Sequence, residues 1–158
     1  VSIFLHQTKG MPILTEAVGL DTFSKIKGDL RLSTVAFHII ELVDKLTAEN
    51  QESRMLYENL VQVLKRLERK PRQILIRAFE VKILSLMGFV SFDADAYTLD
   101  VDIKTLKLLN SLAIMNWDQI EKMEIVEKEA LELEQVLRYH LERVIEGSLK
   151  SRLFLKKI

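Results

Sequence analysis

The side chains in this sequence that could do chemistry are mostly cations, gathered in two places. Lys65, Arg66, Arg69, Lys70, Arg72 and Arg77 form one group, and Lys150, Arg152, Lys156 and Lys157 form the other. Such clusters can neutralise phosphates or receive an acidic peptide. They can equally be solvated faces or complement the negative ends of helices. The histidines His6, His38 and His140 stand at no metal-ligand spacing and read as structural. Asp93, Asp95, Asp100 and Asp102 invite a calcium reading. A calcium loop counted from Asp93 puts Thr98 where glycine is required and Lys104 where glutamate is required, so these aspartates read as turn and capping residues. The acidic run Asp118, Glu121, Glu124, Glu127, Glu129, Glu132 and Glu134 reads as a solvated helix face. There is no glycine-rich phosphate loop, no G-x-S-x-G and no H-E-x-x-H, and Ser151 has no base near it in sequence. No catalytic constellation is visible. A hydrolase built on the aspartates would reveal itself by metal-dependent thermal stabilisation.

The elements that must position these side chains centre on Pro71–Gly88, PRQILIRAFEVKILSLMG. Proline suits a first helical position and glycine the residue just past a helix end. Between them, apolar residues leave almost no hydrated face, so this helix belongs inside the fold. Its longest polar stripe is Gln73, Arg77 and Glu80, and an arginine there must find a partner or reach a groove. Ahead of it, Val1–Gln7 and Ile13–Ala17 read as the two strands of a hairpin, and Asp21 as the cap of a short turn through Phe23 and Ile26. From Asp29 a helical stripe runs through Leu32, Val35, Ala36, Ile39, Ile40, Val43 and Leu46. After the polar loop Thr47–Ser53, a further helix buries Leu56, Leu60, Val63, Leu64 and Leu67 and ends near Arg69. Beyond Gly88, Phe89–Asp102 suggests short extended pieces, and Asp102 caps a helix with Leu106, Leu109 and Leu112 inward. A long helix is expected from Asp118 to Glu146, on the order of 40 Å at 1.5 Å per residue, with Gly147 as its stop and room for a short helix in the tail.

Composition sets outer bounds. The 158 residues are 48% hydrophobic, enough for a sizeable core. Lys+Arg and Asp+Glu both total 23, so net charge points to no partner. With no cysteine, disulfides, cysteine-ligated zinc and cysteine nucleophiles are excluded. No apolar run approaches the roughly 20 residues that span a bilayer. Starting at Val1 without an initiator Met or signal-like segment, the chain is expected to be a fragment of a longer protein. Residues alone therefore reach a helical, non-enzymatic binding module with two basic zones.

Three motifs, in order, resemble the bacterial recombination mediator family RecO. Gly10-x-x-Ile13-Leu14-Thr15-Glu16-Ala17 looks like the closing strand of that family's N-terminal OB-fold. Arg77-Ala78-Phe79-Glu80 through Met87-Gly88-Phe89 resembles its central helix ending in a Leu-Gly-Tyr-like turn. Leu149-Lys150-Ser151-Arg152, followed by Phe154-Leu155, resembles its C-terminal Leu-Lys-Ser-Arg signature. The Glu41-Leu42-x-Asp44-x-Leu46 pattern closing the Leu32–Leu46 helix adds to the match. Many members carry a four-cysteine zinc module after the glycine turn. Phe89–Asp102 is short and lacks cysteine, so the resemblance is to a zinc-less variant.

The resemblance implies a mainly α fold: a RecO-type helical bundle carrying the remnant hairpin of an N-terminal OB-fold. The expected division is residues 1–18 as the hairpin, 19–28 as a linker and 29–158 as the helical domain. It implies a cytoplasmic, nucleoid-associated DNA-repair factor that is not an enzyme and needs neither cofactor nor metal. Its partners would be the acidic C-terminal tail of single-stranded-DNA-binding protein, RecR, and single- and double-stranded DNA, with DNA binding weak without the OB-fold. By the same resemblance Arg77, with Gln73, Arg72 and Lys70, would bind the tail, and an Arg77→Glu change should weaken it more than about tenfold. Lys65, Arg66, Arg69, Lys150 and Arg152 would meet DNA. The competing class is a helical interaction or dimerisation scaffold unrelated to DNA, resting on the charged face of the long Asp118–Glu146 helix.

Overall fold

The computed structural model describes residues 2–6, 10–49, 52–92 and 101–145. These form two strands, β1 (Ser2–His6) and β2 (Ile13–Val18), then seven helices: α1 (Ser24–Gly28), α2 (Leu30–Leu46), α3 (Arg54–Arg69), α4 (Gln73–Leu86), α5 (Ile103–Ile114), α6 (Trp117–Lys122) and α7 (Glu127–Val144). The mainly helical fold with a small antiparallel hairpin matches the sequence expectation.

Five of the helices pack around α4. Ile74, Leu75, Ile76, Ala78, Phe79, Val81, Ile83 and Leu84 are buried, and α2, α3, α5, α6 and α7 all contact it. A helix apolar nearly all round is stable only with neighbours on most sides, which is what the other helices provide. Gly88 follows the helix with φ +74°, a left-handed conformation that glycine adopts without a Cβ clash. The start differs from expectation. Pro71 lies before the helix rather than at its first position, because Arg72 is extended (φ −143°, ψ 138°) with its guanidinium tied to carbonyls of another element.

The outer helices begin on side-chain caps. Asp29 Oδ1 accepts from the Arg31 and Leu32 N–H groups at 2.8 and 3.0 Å, Ser53 Oγ from Leu56 at 3.3 Å, and Asp102 Oδ1 from Lys104 at 3.0 Å. Asp21 acts earlier than expected: its Oδ1 accepts from Phe23 N–H at 3.0 Å, an Asx-type turn, while left-handed Phe23 (φ 46°) is the residue that precedes α1. On α2, His38 and Leu42 occupy the inward face where the sequence reading had placed Ile40, which is exposed instead.

One expectation fails outright. The continuous helix from Asp118 to Glu146 is two helices, with Met123–Val126 extended between them. Both sides of the break are capped. Arg72 donates to the carbonyls of Glu121 and, at 2.8 Å, Met123, satisfying acceptors that α6 leaves open at its end. The Glu129 carboxylate accepts from Val126 N–H at 3.3 Å and opens α7. The roughly 40 Å rod does not exist, and the dimerisation scaffold that rested on it loses its feature.

Strands β1 and β2 pair with Thr15 as an extra residue between the Phe4↔Glu16 and Leu5↔Leu14 pairs, its Oγ1 donating to Phe4 O at 3.0 Å. Side chains on both faces, including Ile3, Phe4, Leu5, Ile13, Leu14 and Val18, are exposed.

Candidate functional site

The polar stripe of α4 dives from surface to core. Gln73 is exposed, the Arg77 side chain retains 20% of its exposure and that of Glu80 only 1%. A buried carboxylate is tolerated only when paired and hydrogen-bonded. Glu80 has both. Its Oε1 lies 2.8 Å from His38 Nε2 on α2, and Arg77 Nη1 donates to its two oxygens at 3.1 and 2.9 Å. Burial alone would raise the Glu80 pKa, but the Arg77 guanidinium and the His38 contact outweigh it and hold the carboxyl below its ordinary range. Arg77 turns its other end outward, with Nη2 3.1 Å from Glu134 Oε2 on α7, and Glu134 Oε1 accepts from Arg138 Nη2 at 3.0 Å. The chain His38–Glu80–Arg77–Glu134–Arg138 ties α2, α4 and α7 together.

Two clefts meet beside this network at Arg72. One, of about 290 Å³, is lined by Arg72, Gln73, Ile74, Glu124, Ile125 and Ala130, between the starts of α4 and α7. The other, of about 550 Å³, is lined by Arg69, Lys70, Arg72, Asp118, Glu121, Lys122 and Glu124. Gln73 to Arg77 and Ala130 to Glu134 are each one helical turn, so the Arg77–Glu134 pair stands one turn further along the same α4–α7 seam. The structure thus gathers Lys70, Arg72 and Gln73 on adjoining clefts with Arg77 beyond them. Their surroundings are mixed in charge, because Glu121, Glu124 and Glu134 face the same space.

Of the cations expected to meet DNA, Lys65, Arg66 and Arg69 are already partnered. Arg66 contacts Gln62, Asp118 and, at 3.4 Å, Glu121; Arg69 Nη2 donates to Glu121 at 2.6 and 2.5 Å; Lys65 stands 4.0 Å from Asp21. Lys150 and Arg152, with Gly147, Lys156 and Lys157, lie outside the described residues, as do Asp93, Asp95 and Asp100. Lys82, absent from the sequence reading, plays for α5 the part Arg72 plays for α6. Its ammonium donates to the carbonyls of Ala113 and Met115 at 3.0 and 2.7 Å and sits 5.7 Å from the Trp117 ring. Burial pushes its pKa down.

A third cleft has a different character. About 190 Å³ in volume and almost wholly apolar, it lies between α1, α2 and α3, lined by Phe23, Ile26, Lys27, Ser33, Ala36, Phe37, Ile40 and Leu64. Among the described residues, no cluster of three or more His, Cys, Asp or Glu could hold a metal ion, and no helix is long and apolar enough to cross a membrane.

Comparison with known proteins names the class. Residues 27–96 match the family described as Recombination protein O C terminal. The chain is 24% identical to the DNA repair protein RecO of Listeria monocytogenes serotype 4a over 94% of its own length and 70% of that protein. It is 32% identical to the RecO proteins of Shouchella clausii and Desulforudis audaxviator, over 55% and 54% of the chain and 34% of each relative. No solved structure matches. The matches support a role in DNA repair and recombination. Over these lengths the chain is similar to the C-terminal region of RecO proteins. The match contains the Arg77–Phe89 motif and α2, so two of the resemblances read from the sequence fall inside it.

Proposed function

We propose that the helical body docks the acidic C-terminal tail of single-stranded-DNA-binding protein along the α4–α7 seam. The tail's carboxylates would meet Arg77, Arg72 and Lys70, Gln73 would take a backbone group, and its terminal aromatic ring would lie on Ile74, Ile125 and Ala130. One observation carries this reading: the Arg77 guanidinium is held in a fixed pose by buried Glu80, its other end paired to part-exposed Glu134 one helical turn beyond a cleft lined by Ile74, Ile125 and Ala130 with Arg72 at its edge. A preorganised guanidinium loses little freedom on meeting a carboxylate, which favours paired recognition. Around this docking, the chain would act in the cytoplasm at the nucleoid, supporting strand annealing and RecA loading with RecR. Lys65, Arg66, Arg69, Lys150 and Arg152 would add weak contacts to single- and double-stranded DNA. The hairpin, residues 1–18, would complete an OB-fold, with 19–28 as linker and 29–158 as the helical domain; its apolar residues, exposed on both faces, fit strands that pack elsewhere.

The test is a fluorescence titration with a labelled peptide of acidic residues ending in phenylalanine. Arg77→Glu is a poor probe, because a glutamate there would face both Glu80 and Glu134. Arg77→Gln should weaken binding about tenfold, roughly 1.4 kcal/mol. Gln73→Glu, on an exposed position that leaves the core untouched, should weaken it too. Wild-type affinity in both variants would sink the site.

A further inference from the structure

Arg77 is held by two carboxylates of very different standing. Glu80 is buried and takes Nη1 with both oxygens, whereas Glu134 is 38% exposed and takes Nη2 with one oxygen while its other oxygen is bound by Arg138. We propose that Glu134 is the carboxylate that an incoming acidic ligand displaces from Arg77, which makes it a specificity-determining residue of the seam. The proposal rests on the docking reading above and names how that site is regulated.

The geometry makes the exchange one-sided. Leaving Arg77 would cost Glu80 its cationic guanidinium partner where water cannot replace it, with only the His38 contact remaining, so it fixes the guanidinium in place. Glu134 loses one of its two partners when displaced and keeps Arg138, so its charge stays compensated and half-hydrated. A ligand carboxylate can replace it on Nη2 with like charge and like geometry. A neutral peptide offers nothing that outcompetes a resident carboxylate and leaves the Arg77–Glu134 pair closed. The seam would therefore reject uncharged tails more strongly than its apolar floor alone would.

The experiment uses the full chain and two labelled peptides, one acidic and ending in phenylalanine, the other its amide counterpart with the acids replaced by Asn and Gln. Exposed ion pairs contribute about 0.2–1 kcal/mol, so Glu134→Gln should bind the acidic peptide roughly 1.5- to 5-fold more tightly. It should also bind the neutral peptide more tightly than wild type does. Glu127→Gln, which removes an equal charge from the exposed first turn of α7, measures the general electrostatic effect and should change affinity less. If Glu134→Gln leaves affinity unchanged, lowers it, or matches Glu127→Gln while Arg77→Gln still weakens binding, the exchange is refuted and the docking site stands. If Arg77→Gln has no effect either, both fall.

Discussion

The α4–α7 seam and the α1–α2–α3 cleft divide between them what an acidic peptide with an aromatic end would need. The seam has the oriented charge, Arg77 on its buried Glu80, and only three apolar floor residues. The cleft has the apolar room, with Phe37 and Ile40 exposed on its rim, and Lys27 as its one cationic lining residue. Apolar surface gives affinity without direction, whereas a fixed guanidinium gives direction and selects for charge. The seam is therefore expected to choose the ligand, and its charges to be held by the fold itself.

The sharpest way to break that contrast is to remove the anchor. Glu80→Ala leaves Arg77 short of its inner partner and His38 without its carboxylate, and should cost about 3–5 kcal/mol in urea denaturation. A loss under about 1 kcal/mol would mean that the buried network does not hold the seam. The pH dependence follows from the direction of the Glu80 shift. Its folded pKa lies below the unfolded value, so the contribution is present above the unfolded pKa and is lost as pH falls through the folded one. Thermal melts taken downward from pH 7 should show acid destabilisation that is reduced in Glu80→Gln.

Next in size is Arg72→Ala. It removes two donors from carbonyls at the end of α6 and should cost about 1–3 kcal/mol, with hydrogen-exchange protection lost first around Met123–Val126. Stability unchanged in this variant would detach Arg72 from the α6–α7 break.

These elements also show what the sequence made legible. The periodicity of α3 and α5, most of that of α2, the cap at Asp102 and the left-handed Gly88 are local rules with local outcomes, and they held. The Asn116–Gln119 capping box starts α6 just ahead of the expected start near Asp118 and is equally local. The break at Met123–Val126 was not, because it depends on Arg72, about fifty residues away, filling carbonyls that a continuous helix would have used itself. The burial of Glu80 was hidden for the same reason. A glutamate in a polar stripe reads as surface until His38 arrives from α2 to pair with it, and His38 took the inward place assigned to Ile40. That Arg77 needs a partner is legible in the sequence, but which partners it finds is a tertiary fact.

Two smaller effects sharpen the contrast between the regions. Raising ionic strength should weaken a ligand bound at the seam, since part of its attraction is between half-exposed charges, while a ligand in the apolar cleft should be little affected. Anisotropy titrations at low and high salt separate the two. Last, Phe37→Ser, at a side chain 67% exposed, should change stability by no more than about 0.5 kcal/mol and leave peptide affinity as in wild type. A clear loss of affinity would move the binding site to the cleft.

The most direct measurement is a backbone amide shift map of the isotope-labelled chain titrated with the acidic, phenylalanine-ended peptide. Binding at the seam predicts saturable shifts at Gln73, Ile74, Arg77, Ile125, Ala130 and Glu134, with Phe23, Phe37 and Ile40 unmoved. Shifts confined to Phe23, Phe37, Ile40 and Leu64 would contradict it.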